Sequence, residues 1–263
     1  MPRYKGTTRI KKRYRGTVEI KKRYKGTTLV FSSGGTLYMA GRDTDALYTL
    51  DIATSQATRV GSANQFNVGE SSPSGLSFVG SKLYMVGGRA ILFEINTSNG
   101  TATRVGSATQ FSASETNPGG LASIGSTLYM LGGTIDALFT LNTSTGVATR
   151  VGRSSLFGVS EGSPTGIAAI GNTLYMVGAA NSALFSLNTS TGAATRIGRA
   201  SRFNVQETFP TGLTAIGDVL YMIGAVTDSL YTVSTSSGIA TRIGSATDFG
   251  VNEGNPSALA YTN

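Results

Sequence analysis

One stretch of sequence returns five times along this chain, and that return constrains the fold more than any other feature. Leu-Tyr-Met recurs with its tyrosine at Tyr38, Tyr84, Tyr129, Tyr175 and Tyr221, at spacings of 46, 45, 46 and 46 residues. Thr-Arg-Val/Ile-Gly follows with Arg59, Arg104, Arg150, Arg196 and Arg242, then Glu-x-x-Pro with Glu70, Glu115, Glu161, Glu207 and Glu253. One copy, Thr165 to Pro210, reads as four short apolar strands, Gly166–Ile170, Leu174–Gly178, Ala183–Asn188 and Ala194–Gly198. Turn signals separate them: Gly171-Asn172, then Gly178 to Ser182, then Asn188-Thr-Ser-Thr-Gly192. A four-stranded sheet of this length has two apolar faces and cannot cover both alone, so the copies must stack on one another.

The chain ends say how the stack finishes. After Glu253-Gly-Asn-Pro256 the sequence supplies only Ser257 to Tyr261, the first strand of a sixth copy, whereas the first copy begins at its second strand, Leu37-Tyr38-Met39. A closed ring explains both defects, because the C-terminal strand then completes the first blade. An open solenoid is the alternative, and it leaves this complementarity unexplained. The expected fold is therefore all-β: a five-bladed β-propeller over residues 33–263, about 46 residues per blade, preceded by an arm over residues 1–32.

In the number and length of its repeats the chain resembles the tachylectins, five-bladed lectins with one sugar site per blade. The likeness is one of architecture, since the tryptophan-rich tachylectin blade has no counterpart in a sequence without Trp. The segment Ala183-Leu-Phe-Ser-Leu-Asn-Thr-Ser-Thr-Gly192 is also similar to propeller repeats of bacteria and phages that end a strand in an Asn-Thr-Ser-Thr-Gly turn. That motif names no ligand.

Composition removes whole classes of chemistry. With no Cys and no His among 263 residues, thiolate nucleophiles, imidazole bases, Cys/His zinc sites and disulfides are excluded. No catalytic residue, cofactor or metal ligand is expected. No apolar run approaches the ~20 residues of a membrane-spanning helix, and no apolar signal core follows the basic start. Cytoplasmic assembly or a place in a virion are the compatible locations. The net charge of +8 is unevenly spread: residues 1–31 hold 11 Lys/Arg and one acidic residue, Glu19, whereas residues 32–263 hold 11 Lys/Arg and 13 Asp/Glu. The basic character belongs to the arm.

Alternating strand direction puts the loops after strands two and four on one face. The strand-four loops present Phe66, Phe111, Phe157, Phe203 and Phe249, as in Ser107 to Pro118. Five aromatic, polar loops would make a multivalent sugar-binding face; alternatively each phenylalanine plugs the gap between blades. Each repeat arginine stands eleven residues before its glutamate, which suggests a paired Arg–Glu lock. The loop after strand two varies, with Asp45, Asp136 and Asp228 at matched positions as further candidate ligand residues. Single carboxylates on separate blades form no catalytic dyad and no calcium cage. Asn96, Asn142 and Asn188 match the glycosylation sequon but read better as Asx turns before Gly100, Gly146 and Gly192.

The arm repeats with a period of ten from Arg3 to Phe31. On an extended strand this even period puts Tyr4, Ile10, Tyr14, Val18, Ile20 and Tyr24 on one side and basic residues including Arg13, Arg15 and Arg23 on the other. A three-strand meander turning at Gly16 and Gly26, or one long strand, fits the pattern, and a solvated, disordered tail is the alternative. Its partners are expected to be other protein subunits, through Tyr4, Ile10, Tyr14, Val18, Ile20, Tyr24, Arg13, Arg15 and Arg23, in an oligomeric assembly. The expected function is a non-enzymatic, multivalent recognition or adhesion module for surface glycans, held on a larger particle such as a phage virion or tail by the arm. A purely structural decoration or baseplate-type subunit, and polyanion or nucleic-acid binding by the arm, are the alternatives.

Overall fold

A computed structural model describes residues 14–15, 18–19, 22–25, 28–32 and 34–262, apart from 154–155, 160, 200–201, 206, 245–247 and 252–254. The chain divides into two compact units, Met1–Gly35 and Thr36–Asn263.

The second unit is a ring of five four-stranded antiparallel blades. Blade two comprises Pro73–Val79, Lys82–Gly87, Leu92–Ile95 and Ala102–Arg104, counted outward from the axis. Blade three is Pro118–Ile124, Thr127–Gly132, Ala137–Leu141 and Ala148–Arg150. Blade four is Pro164–Ile170, Thr173–Gly178, Ala183–Leu187 and Ala194–Arg196, and blade five is Pro210–Ile216, Val219–Gly224, Ser229–Val233 and Ala240–Ile243. Blade one borrows its inner strand from the C-terminus: Pro256–Tyr261 pairs with Leu37–Gly41, followed by Ala46–Leu50 and Ala57–Arg59. The two broken repeats thus complete one another, as the closed ring requires.

The apolar layers lie between blades. Leu121, Leu128, Met130 and Phe139 of blade three pack against Val86 and Leu92 of blade two, and Ile167, Leu174, Met176 and Phe185 of blade four pack against Leu131 and Leu138. Both faces of the middle strands are covered, which is why Leu-Tyr-Met and Ala-Leu-Phe read as continuous apolar runs rather than alternating ones. At the axis the inner strands of consecutive blades lie side by side, and Pro256–Tyr261 reaches Pro73–Val79 to close the circle. They approach so closely that a Cβ at Gly75 would stand 2.7 Å from the backbone nitrogen of Leu121, and one at Gly166 2.9 Å from that of Leu213. Only a residue without a side chain fits there.

In the first unit, Tyr14–Arg15 pairs with Val18–Glu19 and Lys22–Lys25 with Thr28–Ser32, both antiparallel. These are two separate two-stranded sheets. The register sets Arg15 opposite Val18 and Tyr14 opposite Glu19, so a count of alternate residues along one continuous strand does not run through the turn. Tyr4, Ile10, Arg13 and Ile20 lie outside the described residues.

Removing Pro256–Asn263 takes away the inner strand of blade one and opens the ring. The truncated chain is expected to lose cooperative unfolding or to melt at least 10 °C lower, since a lost strand costs well over the ~1 kcal/mol that moves a melting point by about 2–4 °C in a domain this size. A circular-dichroism melt that matches the intact chain would show that this strand does not hold the ring.

Candidate functional site

The face bearing the long loops is organised by a carboxylate. Glu70, Glu115, Glu161 and Glu207 are completely buried. Glu115 accepts hydrogen bonds from the backbone N–H groups of Asn117 (2.8 Å), Thr134 (2.9 Å) and Ile135 (3.1 Å). Glu161 repeats this with Ser163, Ala180 and Asn181, adding the Asn181 side-chain amide, all at 3.1 Å. Glu70 takes the N–H groups of Ser72 and Arg89, and Glu207 that of Phe209 (2.7 Å) with the Thr227 hydroxyl (2.8 Å). Each glutamate therefore ties the loop entering strand one to the loop leaving strand two of the same blade. Several N–H donors replace the water that a buried carboxylate loses. The carboxylate also fixes the last residue of strand two, for a Cβ at Gly178 or Gly224 would overlap it.

The expected Arg–Glu lock is therefore overturned. Arg59 and Arg104 are exposed; Arg59 donates to the carbonyl of Ala63 (2.7 Å), and Arg104 to those of Ser107 (2.9 Å) and Ala108 (3.0 Å). Lys82 and Glu94 form an ion pair. The constant spacing of eleven reflects two separate anchors of one loop, an arginine at its start and a glutamate at its end. Glu253 lies outside the described residues.

The phenylalanines, expected as candidate ligand residues, do not face solvent. Phe66, Phe111, Phe157, Phe203 and Phe249 are fully buried, and the first four lie in the gap between their blade and the next. Phe111, for example, packs with Leu92 and Val105 on one side and Leu121 and Met130 on the other. All five adopt left-handed backbone angles, φ between 52° and 54°. That conformation costs an L-residue roughly 1–2 kcal/mol, and leaving a phenylalanine-sized hole costs about 3–5 kcal/mol, so the plug wins.

Asp45, Asp136 and Asp228 occupy matched left-handed positions, with φ of 48°, 51° and 46°, at three of the five blade junctions. Asn and Asp tolerate this conformation best among residues with a Cβ. At the equivalent position in blade four, Ser182 has φ of 45° and its hydroxyl donates to the Thr208 carbonyl of the next blade's entering loop (3.3 Å). Asp136 has no such donor, and its Oδ1 is buried without a hydrogen-bond partner. Burial first, then the charges of Glu115 and Glu161, raise its pKa above the ordinary 3.8. The three aspartates stay on separate blades, and no group of three acidic side chains among the described residues is placed to hold a metal ion.

The sequons form turns: Asn142 Oδ1 accepts from the N–H groups of Ser144 and Thr145, and Asn188 Oδ1 from those of Ser190 and Thr191, before glycines at φ of 72°. At the opposite end of the axis lies a chamber that repeat reading did not find, about 170 Å³, walled by the ends of the inner strands. Phe78, Ser123, Ala169, Ala215 and Tyr261 hold equivalent places around it. Its signal in the sequence is disagreement: this position ranges from Ala to Tyr among copies, while three residues earlier four copies have Gly75, Gly120, Gly166 and Gly212 and the fifth has Ala258.

No protein family model and no curated protein matches this chain. Solved structures do. A chain of a nidogen/laminin complex aligns with a TM-score of 0.57 and 14% identity, covering 88% of this chain and 99% of that one. The likeness is one of fold. Virginiamycin B lyase from Staphylococcus aureus (TM-score 0.46, 13% identity, 78% of this chain and 64% of that one) and glutaminyl cyclase from Myxococcus xanthus (0.46, 16%, 72% and 69%) are similar over less of their length.

Two measurements probe this face. In a double-mutant cycle, Glu115→Ala is expected to cost about 3 kcal/mol or more, because three backbone N–H groups lose their acceptor. The coupling energy with Arg104→Ala should stay within ~0.5 kcal/mol, and a larger value would restore the Arg–Glu pair. Asp136 provides a pH test. An aspartate whose folded pKa is raised contributes stability below its unfolded value that is lost as pH rises through the folded one. Asp136→Asn should therefore melt higher than the natural chain at pH 7, and the difference should shrink or reverse toward pH 3.5; a constant difference across pH would mean that Asp136 ionises as it does in water.

Proposed function

We propose that this chain is a non-enzymatic recognition module that binds a repeating surface ligand, a glycan, through its five-fold repetition, and that its basic arm holds it on a larger assembly. The observation behind this reading is the loop face. Its backbone is nearly the same in every blade and is held by buried glutamates, while variation collects at the exposed tips after strand two, such as Arg42-Asp43, Arg89 and Val226. Rigid scaffolds with variable tips are the usual arrangement of binding surfaces. Equivalent weak sites gain avidity when a ligand is dense. The non-enzymatic part is supported by the burial of the four described repeat glutamates, whose carboxylates are held by loop donors away from any substrate on the surface.

A specific observation favours a second reading, a structural subunit. Phe209 and Val226 are 47% and 56% exposed and neighbour one another on blade five, where the N–H of Ala225 donates to the Phe209 carbonyl. The places matching Phe209 hold Ser72, Asn117, Ser163 and Asn255, and those matching Val226 hold Asp43, Arg89, Thr134 and Ala180. An apolar pair on one blade alone suits contact with a single neighbour.

The folded chain is expected to bind single sugars weakly, with millimolar affinity, and to be retained strongly on a dense glycan surface. An array of neutral and acidic glycans, read at low salt, checks this. Absence of binding across the array, together with loss of self-association on Phe209→Ser and Val226→Thr, would transfer the function to the structural reading.

A further inference from the structure

The arginines released by the buried glutamates create a surface of their own. Arg59, Arg104, Arg150, Arg196 and Arg242 each end the outermost strand of a blade or stand one residue before its end, and all five are exposed. Arg59 and Arg104 each hold loop carbonyls through one terminal nitrogen, Nη2. A guanidinium carries five N–H donors, so this tether aims the group and leaves donors for a ligand. In blades three and four a second exposed arginine follows three residues later, Arg153 and Arg199, where blades one and two have Ser62 and Ser107. The rim is therefore basic all round, and doubly so over two adjacent blades.

Charge accounting points the same way. Among the 13 acidic residues of 32–263, the four glutamates Glu70, Glu115, Glu161 and Glu207 have no solvent exposure. The charges of those four glutamates are held by loop donors and do not face the rim arginines. A polymer of anionic groups could meet the arginines of successive blades together. Single-stranded nucleic acid needs exposed aromatic rings for base stacking, and the loop phenylalanines beside these arginines are buried. Sulfate and carboxylate groups need only the guanidinium fork.

We propose that the outer rim of the propeller binds an acidic polysaccharide carrying sulfate or uronate groups, with its strongest sector at Arg153 and Arg199. This rests on the recognition-module reading and names its ligand class. Linear polyanions release counterions on binding, so each lost contact reduces the slope of log affinity against log salt by roughly 0.7–0.9.

The test uses the 263-residue chain with immobilised heparin and alginate as sulfate and uronate probes, dextran as the neutral control and duplex DNA as competitor. R153Q/R199Q is expected to melt like the natural chain and to lose between one and two in salt slope. Because the arm also carries charge, the same pair is compared in a background with Arg13, Arg15 and Arg23 changed to Gln, where the decrement should persist. R104K supplies a check at the tether, keeping the charge but not the fork, and should weaken alginate binding at an unchanged slope. An unchanged slope in R153Q/R199Q, or DNA displacing the chain more readily than heparin does, overturns the proposal. Binding to dextran or other neutral glycans alone would overturn the rim while leaving the module reading intact, and binding to no glycan would remove both.

Discussion

A carboxylate sealed from water must find its donors inside the protein, and the blades of this ring are arranged around that demand. Glu70, Glu115 and Glu161 take backbone N–H groups from the loop ahead of strand one and the loop behind strand two, and Glu207 takes one N–H ahead of strand one and the Thr227 hydroxyl behind strand two. The strand-two end must then be glycine, as at Gly178, because the carboxylate occupies the space of a side chain. The preceding loop, pinned at Glu115 and at Arg104, is drawn tight enough to drive Phe111 into the gap between blades in a left-handed conformation. One buried anion thus sets a glycine, a strained aromatic and the direction of an arginine.

The same arrangement separates what repeats from what does not. Positions under the carboxylate or in the gap between blades are nearly invariant from copy to copy, since any change meets close-packed neighbours. Divergence survives where packing is relaxed: at the tips after strand two, around the axial chamber at Phe78, Ser123, Ala169, Ala215 and Tyr261, and on the rim at Arg153 and Arg199. These are the surfaces on which a five-fold scaffold acquires individual character, including the apolar pair Phe209 and Val226 on blade five.

Much of the architecture was legible in the sequence. The period of 46, the four apolar runs of each copy and the matched defects at the two ends suffice for a closed ring of five blades, because a strand's partners follow from hydrophobic pattern and chain order. Turn chemistry was legible too, in Asn142 and Asn188 with their following glycines. Less of the candidate site could be read. Phe111 and Glu115 sit in a polar-looking loop, and a one-dimensional pattern cannot distinguish an aromatic displayed to solvent from one turned inward.

The sequence by itself determined the number of blades, the strands within each and the way the ring shuts, since these depend on periodicity and on burying apolar faces. Only the tertiary structure decided which charged and aromatic groups face solvent. That choice is made by residues far apart in the chain: whether Glu115 meets Arg104 or the amides of Thr134 and Ile135 depends on where two loops cross. The backbone wins because it delivers several fixed donors to a site that water cannot enter, whereas an arginine there would have to be buried as well.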